Sequence, residues 1–210
     1  MKSKFKALIF KNSCIKSLSE FSPDALIYVL IHKMDKVGIT KRNDVFLKRK
    51  KQFELKAGKI KINCFPTSIW QNTIYRAWSN ILGNIIPKID KIKELLEKYA
   101  KACQADEVIL FEKNILLYIT SYNNKEIKDS ERFEKISWSM TKFNNICKIG
   151  STKYRNFNIK NIDNNFYLDE FENSTYIMVI FSNKNVSLEL VKINLEICKK
   201  MFKDLMNIII

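Results

Sequence analysis

Asp35 closes the segment His32-Lys33-Met34-Asp35, and an aspartate there can do a specific piece of chemistry. A carboxylate accepts two parallel hydrogen bonds, which suits the adjacent ring N–H and exocyclic amine of guanine. Adenine presents the opposite donor and acceptor pattern at those positions, so Asp35 would discriminate against it. Lys33 can lay its aliphatic stem along a base and keep its ammonium in water. A second polar stretch, Thr67-Ser68-Ile69, follows another apolar run further along the chain. A bare Lys-x-Asp also serves merely to cap a strand, and Thr67 and Ser68 serve equally well to start a helix.

The elements that must hold these residues read clearly. Leu26, Ile27, Val29, Leu30 and Ile31, with Tyr28 among them, form a short β-branched apolar run. Such a run looks like a strand buried on both faces of a parallel sheet. Ser22, Pro23 and Asp24 mark a turn before it. In open α/β sheets ligands sit at the carboxyl ends of strands, where His32 to Asp35 would lie. Gly38 turns the chain, and residues 41–56 read as a charged helix with Val45, Phe46, Phe53 and possibly Leu47 inward. Gly58 stops it. Residues 59–65 alternate, placing Ile60, Ile62 and Cys64 on one face of a second strand that ends at Thr67-Ser68-Ile69. Trp70, Ile74, Ala77 or Trp78, Ile81 and Ile85 then repeat at helical spacing. Residues 4–20 predict a poorly patterned helix ahead of the first strand, and residues 89–103 a helix leading away from the sheet.

Beyond Ala105 the pattern changes. Strands are predicted over 108–112 and 115–122, joined by Lys113-Asn114. A helix follows, with Phe133, Ile136, Met140, Phe143 and Cys147 as its inner stripe. Three more strands come at 154–157, 159–168 and 175–182, and a last helix over 188–206. That helix carries Leu188, Val191, Leu195, Cys198, Phe202 and Leu205 on one side. Val186, Leu190, Ile193, Ile197 and Met201 fall nearly opposite at about 100° per residue. One face should therefore be core, and the other covered by the helix over 89–103 or by a partner.

Composition narrows the classes. An apolar fraction of 46% in 210 residues excludes global disorder and allows one large or two small domains. The 37 basic and 22 acidic residues give a net charge of +15, which would suit nucleic acid or an anionic membrane. Only Lys48-Arg49-Lys50-Lys51 forms a compact basic run, and no aromatic-interleaved basic strand or recognition helix stands out, which disfavours a nucleic-acid binder. The five cysteines are far apart without a CxxC pair, as expected of reduced, mostly buried cytosolic thiols. His32 is the only histidine, so no multi-histidine metal site can be built. No apolar run approaches the ~18 residues of a membrane span, so any membrane contact would be by recruitment.

These segments also carry a family resemblance. SPDALIYVLIHKMD, followed from Thr67 by TSIWQNTIYRAWSNI, resembles the second half of the G domain in Rag GTPases of the A/B type. His32 matches the histidine that replaces the usual asparagine of their guanine-specificity motif. ADEVILFEKNILLYITSY and RFEKIS match the C-terminal domain of the same subfamily. The resemblance runs from about Phe10 to about Phe202. It implies the C-terminal half of a Ras-like P-loop G domain (parallel sheet, residues 1–103, with a linking helix), then a roadblock or longin-like dimerisation domain over 104–210. It assigns the guanine base to His32, Lys33, Asp35, Thr67, Ser68 and Ile69, with backbone N–H groups of the last three approaching the guanine carbonyl oxygen. It implies GTP or GDP as cofactor and a heterodimer with a Rag C/D-type GTPase. It further implies a roadblock-domain scaffold, amino-acid signalling to the target-of-rapamycin kinase complex, and recruitment from the cytoplasm to the lysosome or vacuole. The glycines at 38, 58, 83 and 150 open no GxxxxGK[ST] loop, and there is no DxxG segment for Mg²⁺. The family carries those features upstream of Lys4, so the chain is expected to start inside the G domain and to be inactive in GTP hydrolysis as given. An alternative is a non-enzymatic roadblock-type adaptor with a vestigial G domain.

Overall fold

The computed structural model describes residues 14, 17–18, 20–22, 24–58, 60–124, 129, 131–151, 155–160, 162–172 and 174–207. They divide into two compact units between Ala77 and Trp78. The helix expected over residues 4–20 lies almost wholly outside the described residues, as do Pro23 and Tyr154.

In the first unit, β1 (Ile27–Ile31) pairs in parallel with β2 (Ile62–Pro66), with Ile27 opposite Ile62 and Ile31 opposite Pro66. A parallel pair needs a crossover connection, and α1 (Arg42–Ala57) lies in it. Gly58 ends α1 as expected: its φ of 62° is a left-handed conformation open to glycine, and its N–H donates to the Glu54 carbonyl. Ile27 and Val29 pack with Ile62, Cys64, Phe53 and Ala57, while Tyr28 stacks with Phe65 at 6.4 Å. No residue of β1 is fully buried, so among the described residues this strand is half-covered and not enclosed on both faces. Leu47 points outward, 51% exposed.

Helix α2 (Thr73–Ile85) buries Ala77 and Ile81. It begins three residues after Trp70, which is therefore out of helical phase and exposed. Helix α3 (Ile89–Cys103) buries Ile92, Leu95, Leu96, Tyr99, Ala100 and Cys103 in the core of the second unit. It was expected to lead away from a sheet as part of 1–103. Its apolar face packs on the C-terminal sheet, and the structure divides between Ala77 and Trp78.

The second unit is built on a five-stranded antiparallel sheet, ordered β4-β3-β7-β6-β5. Its strands are β3 (Glu107–Glu112), β4 (Tyr118–Asn123), β5 (Asn156–Lys160), β6 (Asn165–Glu170) and β7 (Thr175–Phe181). Helix α4 (Arg132–Ile149) falls between β4 and β5, and α5 (Leu188–Asn207) ends the order. This is the expected strand–strand–helix–three strands–helix order, a roadblock-like unit following the parallel half of a G domain. Side chains alternate across a strand, so β3 sends Val108 and Leu110 to the face covered by α3 and α5, and Ile109 and Phe111 to the other. On that second face Phe133, Ile136 and Met140 of α4 pack against Phe111, Leu168, Met178 and Ile180. Phe143, expected inward, is 41% exposed and meets the Phe157 ring edge-on.

Strand boundaries differ from expectation where the turns are unusual. Residues 115–117 are turn, not strand, because Leu116 takes a φ of 54° and sinks completely into the core. Ile159 belongs to β5, paired with Phe166.

On α5 the two-sided pattern resolves clearly. Val191, Leu195 and Cys198 are buried, and the Val191 carbonyl accepts a 3.2 Å hydrogen bond from the Tyr99 hydroxyl. Leu190, Ile193, Ile197 and Met201 are 43–61% exposed. Helix α3 sits beside them, with Asn194 Nδ2 donating to the Ala102 carbonyl at 3.2 Å, and does not cover them. Val186 turns inward to the core instead of joining that stripe. Of the cysteines, only Cys103 and Cys198 are buried; Cys64 and Cys147 are half-buried and Cys14 is exposed, all as free thiols. Among the described residues, no helix is long and apolar enough to cross a membrane.

Candidate functional site

The carboxyl ends of β1 and β2 lie side by side because the strands are parallel and in register, and this brings the two polar stretches together. The backbone ties them directly. The Thr67 N–H donates to the Ile31 carbonyl at 3.0 Å, and the Met34 N–H to the Thr67 carbonyl at 3.2 Å. Met34 is buried beneath a short 3₁₀ turn, Met34–Lys36. Lys33 enters that turn with φ 66° and ψ 31°, a left-handed conformation a lysine adopts only at a cost. The result leaves His32 and Lys33 exposed and Asp35 half-buried. All of these are residues picked out in the sequence.

Thr67 and Ser68 are completely buried, although they follow the strand in a turn. Buried hydroxyls need partners. Thr67 Oγ1 lies 2.9 Å from His32 Nδ1. Ser68 Oγ accepts the Trp70 N–H at 3.1 Å. The Ser68 hydroxyl, aided by the charges of Lys36 and Arg42, holds the Asp35 carboxyl below its ordinary range. Asp35 is therefore an ionised acceptor at neutral pH, the state that guanine's two donors require.

The backbone donors divide unevenly. The N–H of Thr67 is taken by Ile31, and that of Ser68 donates to Thr73 Oγ1 at 3.0 Å. The Ile69 N–H has no hydrogen bond among the described residues, and its side chain is 71% exposed. Of the three residues, Ile69 thus keeps its backbone donor available for a carbonyl oxygen.

Two positioning residues escaped the sequence reading. Arg42 Nε donates to the Val37 carbonyl at 2.9 Å, and its Nη2 to the Asp35 carbonyl at 3.3 Å. This clamps the loop that carries Asp35 onto the start of α1. Thr73 anchors the Ser68 backbone from the first turn of α2. Neither has a motif; the available signal was only that a fork of donors and a hydroxyl stand where helices begin.

Residues 2–140 match the model of the Gtr1/RagA G protein conserved region. The chain is 36% identical to Ras-related GTP-binding protein A of Dictyostelium discoideum over 93% of its own length and 65% of that protein's. It is 33% identical to Ras-related GTP-binding protein B of Rattus norvegicus, covering 95% of this chain and 54% of the relative. The chain thus spans little more than half the length of the rat relative. Among solved structures, it is similar to MglB of Myxococcus xanthus at 19% identity, covering 60% of this chain and 94% of that one, with a TM-score of 0.48. On the family match and the extent of these identities, the chain belongs to the Gtr1/RagA family of G proteins.

Proposed function

We propose that this chain acts as a Rag A/B-type GTP-binding protein, with His32, Lys33, Asp35, Thr67, Ser68 and Ile69 as its guanine-reading site. The observation that carries this reading is the joining of the carboxyl ends of β1 and β2, where Thr67 bonds Ile31 and Met34 and the loop with the ionised Asp35 meets the buried Thr67 and Ser68. Asp35 accepts the guanine donors, Ile69 offers a backbone N–H to the carbonyl oxygen, and Lys33 covers the base with its stem. The donor set fits a guanine nucleotide, GTP or GDP, whose phosphates and metal supply the remaining affinity and any hydrolysis. No catalytic residue is assigned within this chain. The family further supports a heterodimer with a Rag C/D-type GTPase, held by a roadblock-domain scaffold at the lysosomal or vacuolar surface. Its output there is amino-acid signalling to the target-of-rapamycin kinase complex.

Asp35→Asn tests the base site. Its amide replaces one acceptor with a donor, so preference should move from guanine toward xanthine. Competition binding with the two nucleosides reads this, and a variant that keeps the native guanine preference sinks Asp35 as the base reader. A second reading, a roadblock-type adaptor without nucleotide function, draws on the exposed Leu190, Ile193, Ile197 and Met201 of α5. Capture of a C/D-type roadblock domain by a chain that binds no guanine nucleoside would favour it.

A further inference from the structure

Helix α1 presents two unlike faces. Phe53 and Ala57 pack toward the strands, and Phe46 is half-buried on the same side. Turned away from them, Lys48, Lys51 and Leu55 stand at i, i+3 and i+7, one stripe of a helix, with Leu47 one turn before Lys51. All four are exposed, Leu47 by 51% and Leu55 by 75%. The turn ahead of the helix, Ile39–Lys41, adds an exposed Lys41 and an Ile39 that is 81% exposed. Residues 39–57 hold seven basic and two acidic side chains. One of the acids, Glu54, already lies 3.8 Å from Lys50. The other, Asp44, sits in the first turn of the helix, where the macrodipole favours a carboxylate. Among the described residues, Lys41, Lys48, Lys51 and Lys56 have no ion pair.

We propose that this outer face of α1 rests on an anionic phospholipid surface, its lysines on the headgroups and its aliphatic side chains at the acyl boundary. A polyanion alone satisfies the lysines and gives Leu47, Leu55 and Ile39 nothing. An anionic bilayer surface satisfies both kinds of side chain at once. The lysine stems can lie beside the leucines while their ammonium groups reach headgroup phosphates and carboxylates. Each basic residue close to such a surface strengthens binding roughly fivefold, and salt weakens the contact because the charges are exposed. A patch of this size gives a reversible contact, one that orients a protein held at the membrane by a second anchor. A nucleic acid would meet the same lysines, but single strands are gripped by stacking on aromatic rings, and this stripe carries none. The proposal is independent of the guanine site, and its failure leaves that reading untouched.

Flotation of the intact chain with phosphatidylcholine vesicles, with and without phosphatidylserine, tests this. The native chain should float with the anionic vesicles at low salt, progressively less as salt rises, and stay behind with the neutral ones. Lys48→Glu combined with Lys51→Glu should weaken anionic binding by about tenfold or more. Lys192→Glu combined with Lys200→Glu makes the same change in net charge at two exposed lysines of α5. It should weaken binding by no more than about twofold, because charges beyond a Debye length of the surface contribute little. Leu55→Ser should also weaken it. Every substituted side chain is exposed, so melting midpoints should hold, which separates a lost contact from a lost fold. Equal losses for the two lysine pairs would reduce the effect to net charge and overturn the proposal. A native chain that ignores anionic vesicles, or binds neutral ones as well, overturns it too. Random-sequence RNA bound more tightly than vesicles through Lys48 and Lys51, with Leu55→Ser changing neither, would give the face to a nucleic acid instead.

Discussion

The two units use similar residues to different ends. β1 is nearly all aliphatic, yet each of its residues is only half-buried. The central strands β3 and β7 carry comparable apolar runs, and Val108, Ile109, Phe111, Ile177 and Val179 have no exposed surface. The difference is cover. Helices lie on both faces of the five-stranded sheet, while β1 and β2 share one small cluster with α1. Apolar burial contributes about 25 cal/mol per Å², so most of the stabilising area belongs to the second unit. The residues able to do recognition chemistry stand on the thinner one. A site of exposed polar groups on a lightly covered sheet is ordered chiefly by hydrogen bonds: Thr67 to Ile31, Met34 to Thr67, and Arg42 to the Asp35 loop.

Truncations in the two units should separate these regimes most strongly. Leu96→Ala and Leu168→Ala remove side chains with no exposure, and each should cost about 2–5 kcal/mol in urea unfolding. Val29→Ala, in half-covered β1, should cost roughly 1 kcal/mol or less. Equal losses for Val29 and Leu168 would erase the distinction between the units.

Thiol accessibility gives the next largest contrast. Burial pushes the Cys198 thiol up to about 12 and raises Cys103 as well, and the thiolate is the reactive form. Cys64 in β2 is raised too, again chiefly by burial, but keeps partial exposure. Disulfide reagents at neutral pH should label Cys64 well before Cys103 or Cys198, which wait for unfolding of the second unit. Simultaneous labelling of Cys64 and Cys198 would show that the units open as one.

How much of this was legible in the sequence follows the same division of cover. Helix α5 was readable on both sides: Leu195 and Cys198 went to the core, and Ile193 and Ile197 stayed outside, because helical periodicity reports a face whatever covers it. Asp35 and Ser68 were legible because a polar segment after an apolar strand has one place to go in a parallel sheet. The helix over 89–103 was legible as a helix leaving the first sheet, but periodicity gives its apolar face and not the sheet that receives it. Leu116 was misread as strand because a buried leucine at positive φ has no composition signal. Trp70 was given to a helix it precedes, where the turn held by Ser68 and Thr73 delays the helical phase. Their hydrogen bonds are local, but they depend on loop geometry that spacing does not carry.

A smaller effect is expected on the outer face of α5. Ile193→Glu and Ile197→Glu change residues that are 61% and 53% exposed, so unfolding midpoints should move by no more than about 0.5 kcal/mol. The sharper readout is association. Loss of binding to a C/D-type roadblock domain, with stability unchanged, would place the partner on this face, and unchanged binding would place it elsewhere on the unit. The same helix supplies its own control, because Leu195→Ala should cost about 2–5 kcal/mol.

The smallest effect concerns Asp35 alone. Its carboxyl is held low, first by the Ser68 hydroxyl. A folded-state value below the unfolded one means that the folded protein binds fewer protons in that range. Asp35 therefore contributes stability above the ordinary carboxylate range, and that contribution is lost as pH falls through its depressed folded value. Ser68→Ala removes the largest cause and should move the Asp35 midpoint upward toward 3.8, the ordinary value. Carboxyl ¹³C titration of the native and variant proteins measures both midpoints. Coincident midpoints would mean that the Asp35 carboxylate is set by Lys36 and Arg42, and that the buried serine serves only to order the Trp70 turn.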